Sequence, residues 1–132
     1  MTGASEAVQA ALVAALEGHA PLAGEVGGVF DGPPARAAYP YVAIGAGATA
    51  DWSNKTARGR EHRLAVTLWD DGDSPARLHR LMTAAEDAIE GMATELDGHQ
   101  VASIAFLRSR VMRDPDGPWA AILEYRVRTL ET

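Results

Sequence analysis

Residues 60–98 read REHRLAVTLWDDGDSPARLHRLMTAAEDAIEGMATELDG, and the period of the apolar residues changes once along them. From Arg60 to Trp69 the period is two, with His62, Leu64, Val66 and Leu68 on one face and Glu61, Arg63, Ala65 and Thr67 on the other. This is the pattern of a strand in a sheet with one wet side. Beyond Asp70 the spacing becomes i, i+3, i+4, i+7, carried by Leu78, Leu81, Met82, Ala85, Ile89, Met92 and Leu96. Arg80, Thr83, Asp87, Glu90 and Thr94 occupy the opposite face, so the segment predicts an amphipathic helix. Ser74 as N-cap and Pro75 at the first helical position start it, and Gly98 closes it. A half-buried strand followed by a helix that must cover it implies helices packed on one face of a sheet.

On the N-terminal side, Ser5 to Gly18 predicts a shorter helix, with Ser5 as N-cap, Glu6 at the positive end of the dipole, and Val8, Leu12, Ala15 and Leu16 at helical spacing. The following stretch, HAPLAGEVGGVFDGPPARAAYP, is too rich in glycine and proline for a long regular element, and Val29 and Phe30 are its anchors to the core. Tyr39 to Ala48 predicts a strand in which Gly45 and Gly47 mark a bulge or a close backbone approach. On the C-terminal side, Gln100 to Met112 and Trp119 to Leu130 predict a long antiparallel hairpin joined by RDPDGP. Trp119, Ala121, Leu123, Tyr125 and Val127 point inward in its second strand. In its first strand Ile104 and Phe106 share parity with Arg108 and Arg110, which predicts a bulge or twist midway. The expectation is one α+β domain over residues 1–132, in the order α-β-β-α-β-β. Two helices pack on one face of a mainly antiparallel four-stranded sheet.

A chain of 132 residues buries roughly two thirds of its unfolded surface without staples. The absence of cysteine excludes disulfides, thiolate metal sites and a cysteine nucleophile. The N-terminus lacks a basic leader and no apolar run reaches the roughly 20 residues of a membrane span, so a soluble protein kept inside the cell is expected. With 12 Lys and Arg against 18 Asp and Glu, general affinity for a phosphate backbone is disfavoured. Basic residues nevertheless cluster at Lys55, Arg58, Arg60 and Arg63, and again from Arg108 to Arg113, as solvated faces or protein contacts do.

Catalytic constellations are not assembled in the sequence. His19, His62, His79 and His99 are scattered singly, without the i, i+4 pair that places two imidazoles on one helix face for a metal. Asp70, Asp71 and Asp73 suit the helix N-terminus that follows them. Asp114 and Asp116 lie in turn chemistry, where solvation leaves nothing to raise a carboxyl pKa. No nucleophile elbow surrounds Ser53, Ser103 or Ser109, and no phosphate-cradling glycine loop is present. The expectation is therefore a non-enzyme without cofactor or metal. An open sheet has two edges that need covering, and assembly through them is the economical use. A rival reading, a small-molecule or enzyme module, uses the glycines of Tyr39 to Ala48 as a pocket floor.

PYVAIGAG, DWSNKT, GREHRLAVTLW, a long helix ending in LDGH, FLRSRVMRDPDG and the closing EYRVRTL, taken in order and spacing, resemble the tail-completion or tail-terminator proteins of long-tailed bacteriophages. The pattern is especially similar to the versions in the tail gene clusters of gene transfer agents, and it spans nearly the whole chain. The resemblance implies a structural, non-enzymatic protein that forms a ring, commonly a hexamer. Such a ring caps the finished tail tube, stops its growth and offers a docking surface to the head-side connector, while DNA passes through its opening. The implied partners are other copies of the chain, the tail tube protein and the connector, with no membrane. The implied location is the bacterial cytoplasm during assembly and the neck of the particle afterwards. Carried onto this sequence, Asp51, Trp52, Ser53, Asn54, Lys55 and Thr56, with Arg58 and Arg60, would form a loop reaching a neighbouring subunit or the tube. Asp114 and Asp116 would form the hairpin tip.

Overall fold

The computed structural model describes residues 2–45, 47–113, 115 and 117–132. Helix α1 (Ala4–Gly18) and the one-turn α2 (Ala20–Ala23) lead into strand β1 (Val29–Asp31). Then come β2 (Tyr41–Gly45), β3 (Thr49–Asp51), β4 (Gly59–Asp70), α3 (Ala76–Glu90), β5 (Glu95–Leu96), β6 (His99–Arg113) and β7 (Trp119–Glu131). The strands form one sheet in the order β1-β2-β4-β7-β6-β5, with β3 also paired to β4. All pairs are antiparallel except β1 with β2, which is parallel.

The expected four-stranded sheet with two helices is thus corrected to a seven-stranded mixed sheet, curled into a half-barrel, with three helices. The additional elements are short. β1, β3 and β5 have three, three and two residues, and α2 has four. No periodicity can show over such lengths, and pairing with a longer neighbour is what makes these segments strands. Val29 packs against the core as part of β1, opposite Val42, whereas Phe30, opposite Ala43, meets the Tyr41 ring edge-on at 6.0 Å.

The predicted strand over 39–48 is divided into β2 and β3. The chain leaves β4 after Gly45↔Ala65 and rejoins it at Thr49↔His62. Ala48 O accepts from Arg63 N (2.8 Å), and a side chain at Gly47 would collide with the Arg63 carbonyl, the close approach its glycine implies. Helix α3 begins one residue later than predicted, with Pro75 at the cap and Ser74 Oγ accepting weakly from Ala76 N (3.4 Å). It also stops at Glu90, well before Gly98. Asp97-Gly98 instead makes a two-residue turn between β5 and β6, with Gly98 at φ 80°.

The core lies between the helices and one sheet face. Val8, Leu12 and Leu16 of α1, and Leu78, Leu81, Ala85 and Ile89 of α3, meet Val42, Ile44, Val66, Leu68, Leu123, Tyr125 and Val127. The alternation predicted for β4 and β7 is observed. The inner row is polar at its ends. His62 is buried with Nε2 3.1 Å from Thr129 Oγ1 and Nδ1 3.4 Å from Thr49 Oγ1, and burial lowers its pKa, aided by Arg60 and His99.

Asp70, expected to serve the start of α3, does so through a side chain. The Asp70 carboxylate is fully buried and accepts from Arg77 Nε at 3.1 Å to each oxygen, as well as from Gly72 N. The Arg77 guanidinium holds the Asp70 pKa below the usual carboxylate range, against the opposing effect of burial. A carboxyl with a depressed folded pKa stabilises above its unfolded pKa of about 3.9, and that contribution is lost as pH falls through the folded value. Because Arg77 is half exposed, Asp70→Asn should cost about 1–3 kcal/mol at pH 7. In urea unfolding, the gap between the two chains should close toward pH 3; a gap unchanged at pH 3 would show that the carboxylate charge is not what stabilises this corner.

Candidate assembly surfaces

Residues 51–60 make the end of the β3–β4 hairpin. Asp51 pairs with Arg60, Trp52 N donates to Gly59 O (2.9 Å), and Asn54 N donates to Ala57 O (3.0 Å). Inside the turn, Asn54 Oδ1 accepts from Thr56 N (2.9 Å), Thr56 Oγ1 (3.0 Å) and Ala57 N (2.8 Å). Ser53 Oγ donates to Asp51 Oδ1 (2.6 Å) and accepts from Gly59 N (2.9 Å). That hydrogen bond, with a smaller contribution from Arg60 and Arg58, lowers the Asp51 pKa. The stretch is therefore a compact tip held by hydrogen bonds among Asp51, Ser53, Asn54, Thr56 and the backbone of 57–59.

The predicted residues divide by what they touch. Asp51, Ser53, Asn54, Lys55, Thr56 and Arg58 are exposed, and Trp52 and Arg60 are half-buried. The Arg128 guanidinium stacks over the Trp52 ring at 5.2 Å, while Arg128 Nε donates to Glu61 (2.9 Å). Trp52 thus covers part of the sheet face that turns away from the helices. Glu131 N donates to Arg58 O (2.8 Å), so the base of the tip is tied to the end of β7. Asp114 and Asp116 lie outside the described residues. Among the described residues no group of three metal-ligating side chains gathers, and no helix is long and apolar enough to cross a membrane.

The floor suggested for a pocket by Gly45 and Gly47 borders a shallow depression of about 250 Å³, lined also by Ser5, Gln9, Thr49 and His62. Thr49 Oγ1 lies 3.4 Å from both Ser5 Oγ and His62 Nδ1. These polar groups face one another rather than converging on open space.

A second surface lies on β6, beyond its short pairing with β5. Register shifts between Val101 and Ser103 and between Phe106 and Arg108 confirm the expected irregularity, and from Phe106 to Arg110 every residue is exposed. Among the described residues, three of the four large exposed apolar side chains are here, Phe106 (45 %), Leu107 (37 %) and Met112 (44 %). The bulge at Leu107 changes which parity faces the core, so Met112 stands opposite Ala120 on the other face, while Phe106, before the bulge, stays on the Tyr125 row. On the sheet face turned away from the helices Arg63 stands opposite Arg126, and Arg126 Nε and Ser103 Oγ are buried without hydrogen-bond partners.

The described residues form a small helix-on-sheet domain with an open, partly apolar sheet edge. Residues 10–130 match the family model of tail completion protein gp17, and the chain belongs to that family. It is similar to a chain in the virion of a native gene transfer agent particle, with 27% identity and a TM-score of 0.81, over 98% of this chain and 99% of that one. The fold is also that of the bacteriophage SPP1 gp17 protein, with 24% identity and a TM-score of 0.64, over 94% of this chain and 89% of that one. No curated protein sequence matches the chain significantly. Its role is accordingly a structural one in a phage-type tail.

Proposed function

We propose that the protein forms a hexameric ring that caps the finished tail tube, stops its growth and presents its other face to the head-side connector, with DNA passing through the opening. The observation that carries this reading is the full-length similarity to a chain of a gene transfer agent virion, within a family defined by tail completion. The open sheet edge supports it, since an exposed apolar edge strand in an isolated subunit is a liability that a permanent neighbour removes. In this reading Asp51 to Thr56, with Arg58 and Arg60, reaches the neighbouring subunit or the tube, and the 114–117 turn is a further contact. The protein assembles in the bacterial cytoplasm and ends at the neck of the particle.

The test is particle mass by light scattering after size exclusion, for the protein alone and mixed with the tail tube protein of the same gene cluster. A species of ring mass, or rings on tube ends in electron micrographs, is the expected result. A strict monomer that leaves tubes uncapped and growing would overturn the proposal.

A further inference from the structure

A buried histidine sits where the β3–β4 hairpin joins the rest of the sheet. His62 is 2 % exposed, and each ring nitrogen faces a hydroxyl from another strand: Nε2 meets Thr129 Oγ1 of β7 (3.1 Å) and Nδ1 meets Thr49 Oγ1 of β3 (3.4 Å). Thr49 Oγ1 lies 3.4 Å from Ser5 Oγ, which extends the row of hydroxyls to the start of α1. The ionisable groups that act on the ring are Arg60 of its own strand and His99 of β6, while α1, β3 and β7 present the uncharged Ser5, Thr49 and Thr129. Among the described residues no carboxylate forms an ion pair with it. A proton on His62 therefore adds a buried cation beside Arg60 with no counter-ion, which is costly until the ring reaches water.

The cover over that ring is thin on one side. β3 has three residues, all exposed, and its first pair, Thr49↔His62, lies over the ring. β7, on the other side of β4, is paired along all twelve residues of that strand. The depression bordered by Gly45 and Gly47 already reaches His62 beside Thr49. Lifting β3 is thus the smallest opening that hydrates the ring. We propose that protonation of His62 detaches β3 from β4 and frees the base of the 51–60 tip, so that the tip's hold on a neighbouring chain is released in acid. This rests on the ring reading above, in which the tip makes that contact, and names its regulation. The closed hairpin keeps the His62 pKa below the ordinary value of about 6.5, which the opened hairpin restores. The closed form is therefore fully favoured above about pH 6.5, and that advantage is lost as pH falls to the lowered value, by up to roughly tenfold per pH unit.

The reporter is the Arg63 N–H, which donates to Ala48 O (2.8 Å) beside the Thr49↔His62 pair. Its hydrogen-exchange protection, corrected for the intrinsic rate, should fall roughly tenfold between pH 7 and pH 5, while the amides between β4 and β7 keep theirs. His62→Gln, which offers the two hydroxyls a neutral partner, should abolish the fall, and His99→Gln should retain it. Equal protection of the wild type at both pH values, or a fall abolished by His99→Gln, would overturn the proposal; these two measurements decide even where His62→Gln does not fold. Tube capping at pH 5 should be lost by wild type and kept by His62→Gln. Capping by a wild-type chain whose hairpin has opened would also overturn the proposal. Absence of capping at pH 7 would overturn the ring reading instead, because the exchange measurement is made on the free chain and tests the hairpin without it.

Discussion

Tyr125→Ala should lower the free energy of unfolding by about 3–5 kcal/mol, the range for removing a buried aromatic ring. That is a large share of the roughly 5–15 kcal/mol a domain possesses. Tyr125 sits in β7, between β4 and β6, and is 1 % exposed. Its ring meets Phe106 edge-on with centroids 5.5 Å apart, and its hydroxyl donates to Glu90 Oε2 (3.1 Å) at the end of α3. One side chain therefore joins the helix layer, the central sheet and the exposed edge strand. Tyr125→Phe keeps the ring and should cost only about 1 kcal/mol, because Glu90 is exposed and recovers water.

The same hydroxyl predicts an alkaline limit. Burial, and secondarily the Glu90 carboxylate, push its pKa far above the tyrosine value. The unfolded chain releases that proton at about pH 10 and the folded chain does not. A raised folded pKa means a contribution fully present below pH 10 and progressively lost above it. Urea unfolding at pH 7 and pH 11 should show wild type losing more stability than Tyr125→Phe. Equal losses would show that the hydroxyl is not shielded in the folded protein.

Why some elements were legible and others were not is visible in these residues. β4, α3 and β7 each repeat their period several times, so Leu64-Val66-Leu68 and Leu123-Tyr125-Val127 announced their inner faces. β1, β3 and β5 exist because a longer strand beside them offers hydrogen bonds, information that lies elsewhere in the chain. The end of α3 was misplaced because Met92 and Leu96 continue its apolar spacing, while the Asp97-Gly98 turn requires a reversal there. The candidate loop was located by composition, but composition did not show its rigidity. Asn54, two residues before Thr56, was the available signal, since an asparagine side chain in that setting folds back on the following N–H groups.

That rigidity shapes the second large effect, a Trp52→Ala/Arg58→Ala chain that folds but fails to cap tubes. The backbone bonds that close the tip, Trp52 N to Gly59 O and Glu131 N to Arg58 O, survive both truncations. The internal cost is the stacking of Arg128 on Trp52, about 0.5–1 kcal/mol at an exposed site, since Arg128 keeps Glu61. In an assembled contact, tryptophan and arginine are the side chains most often worth about 2 kcal/mol or more each. Loss of both would weaken each contact by roughly three orders of magnitude. Because the tip is already ordered by Ser53 and Asn54, wild type loses little entropy on binding, and the deficit of the variant should appear almost entirely as lost affinity. The measurement is thermal unfolding alongside tube capping scored by electron microscopy. A melting temperature lowered by only about 2–5 °C, with tubes that grow without limit, is the expected pair of results; normal capping would reduce Trp52 to a cover for Arg128 and Glu61 and shift the search for the contact to β6.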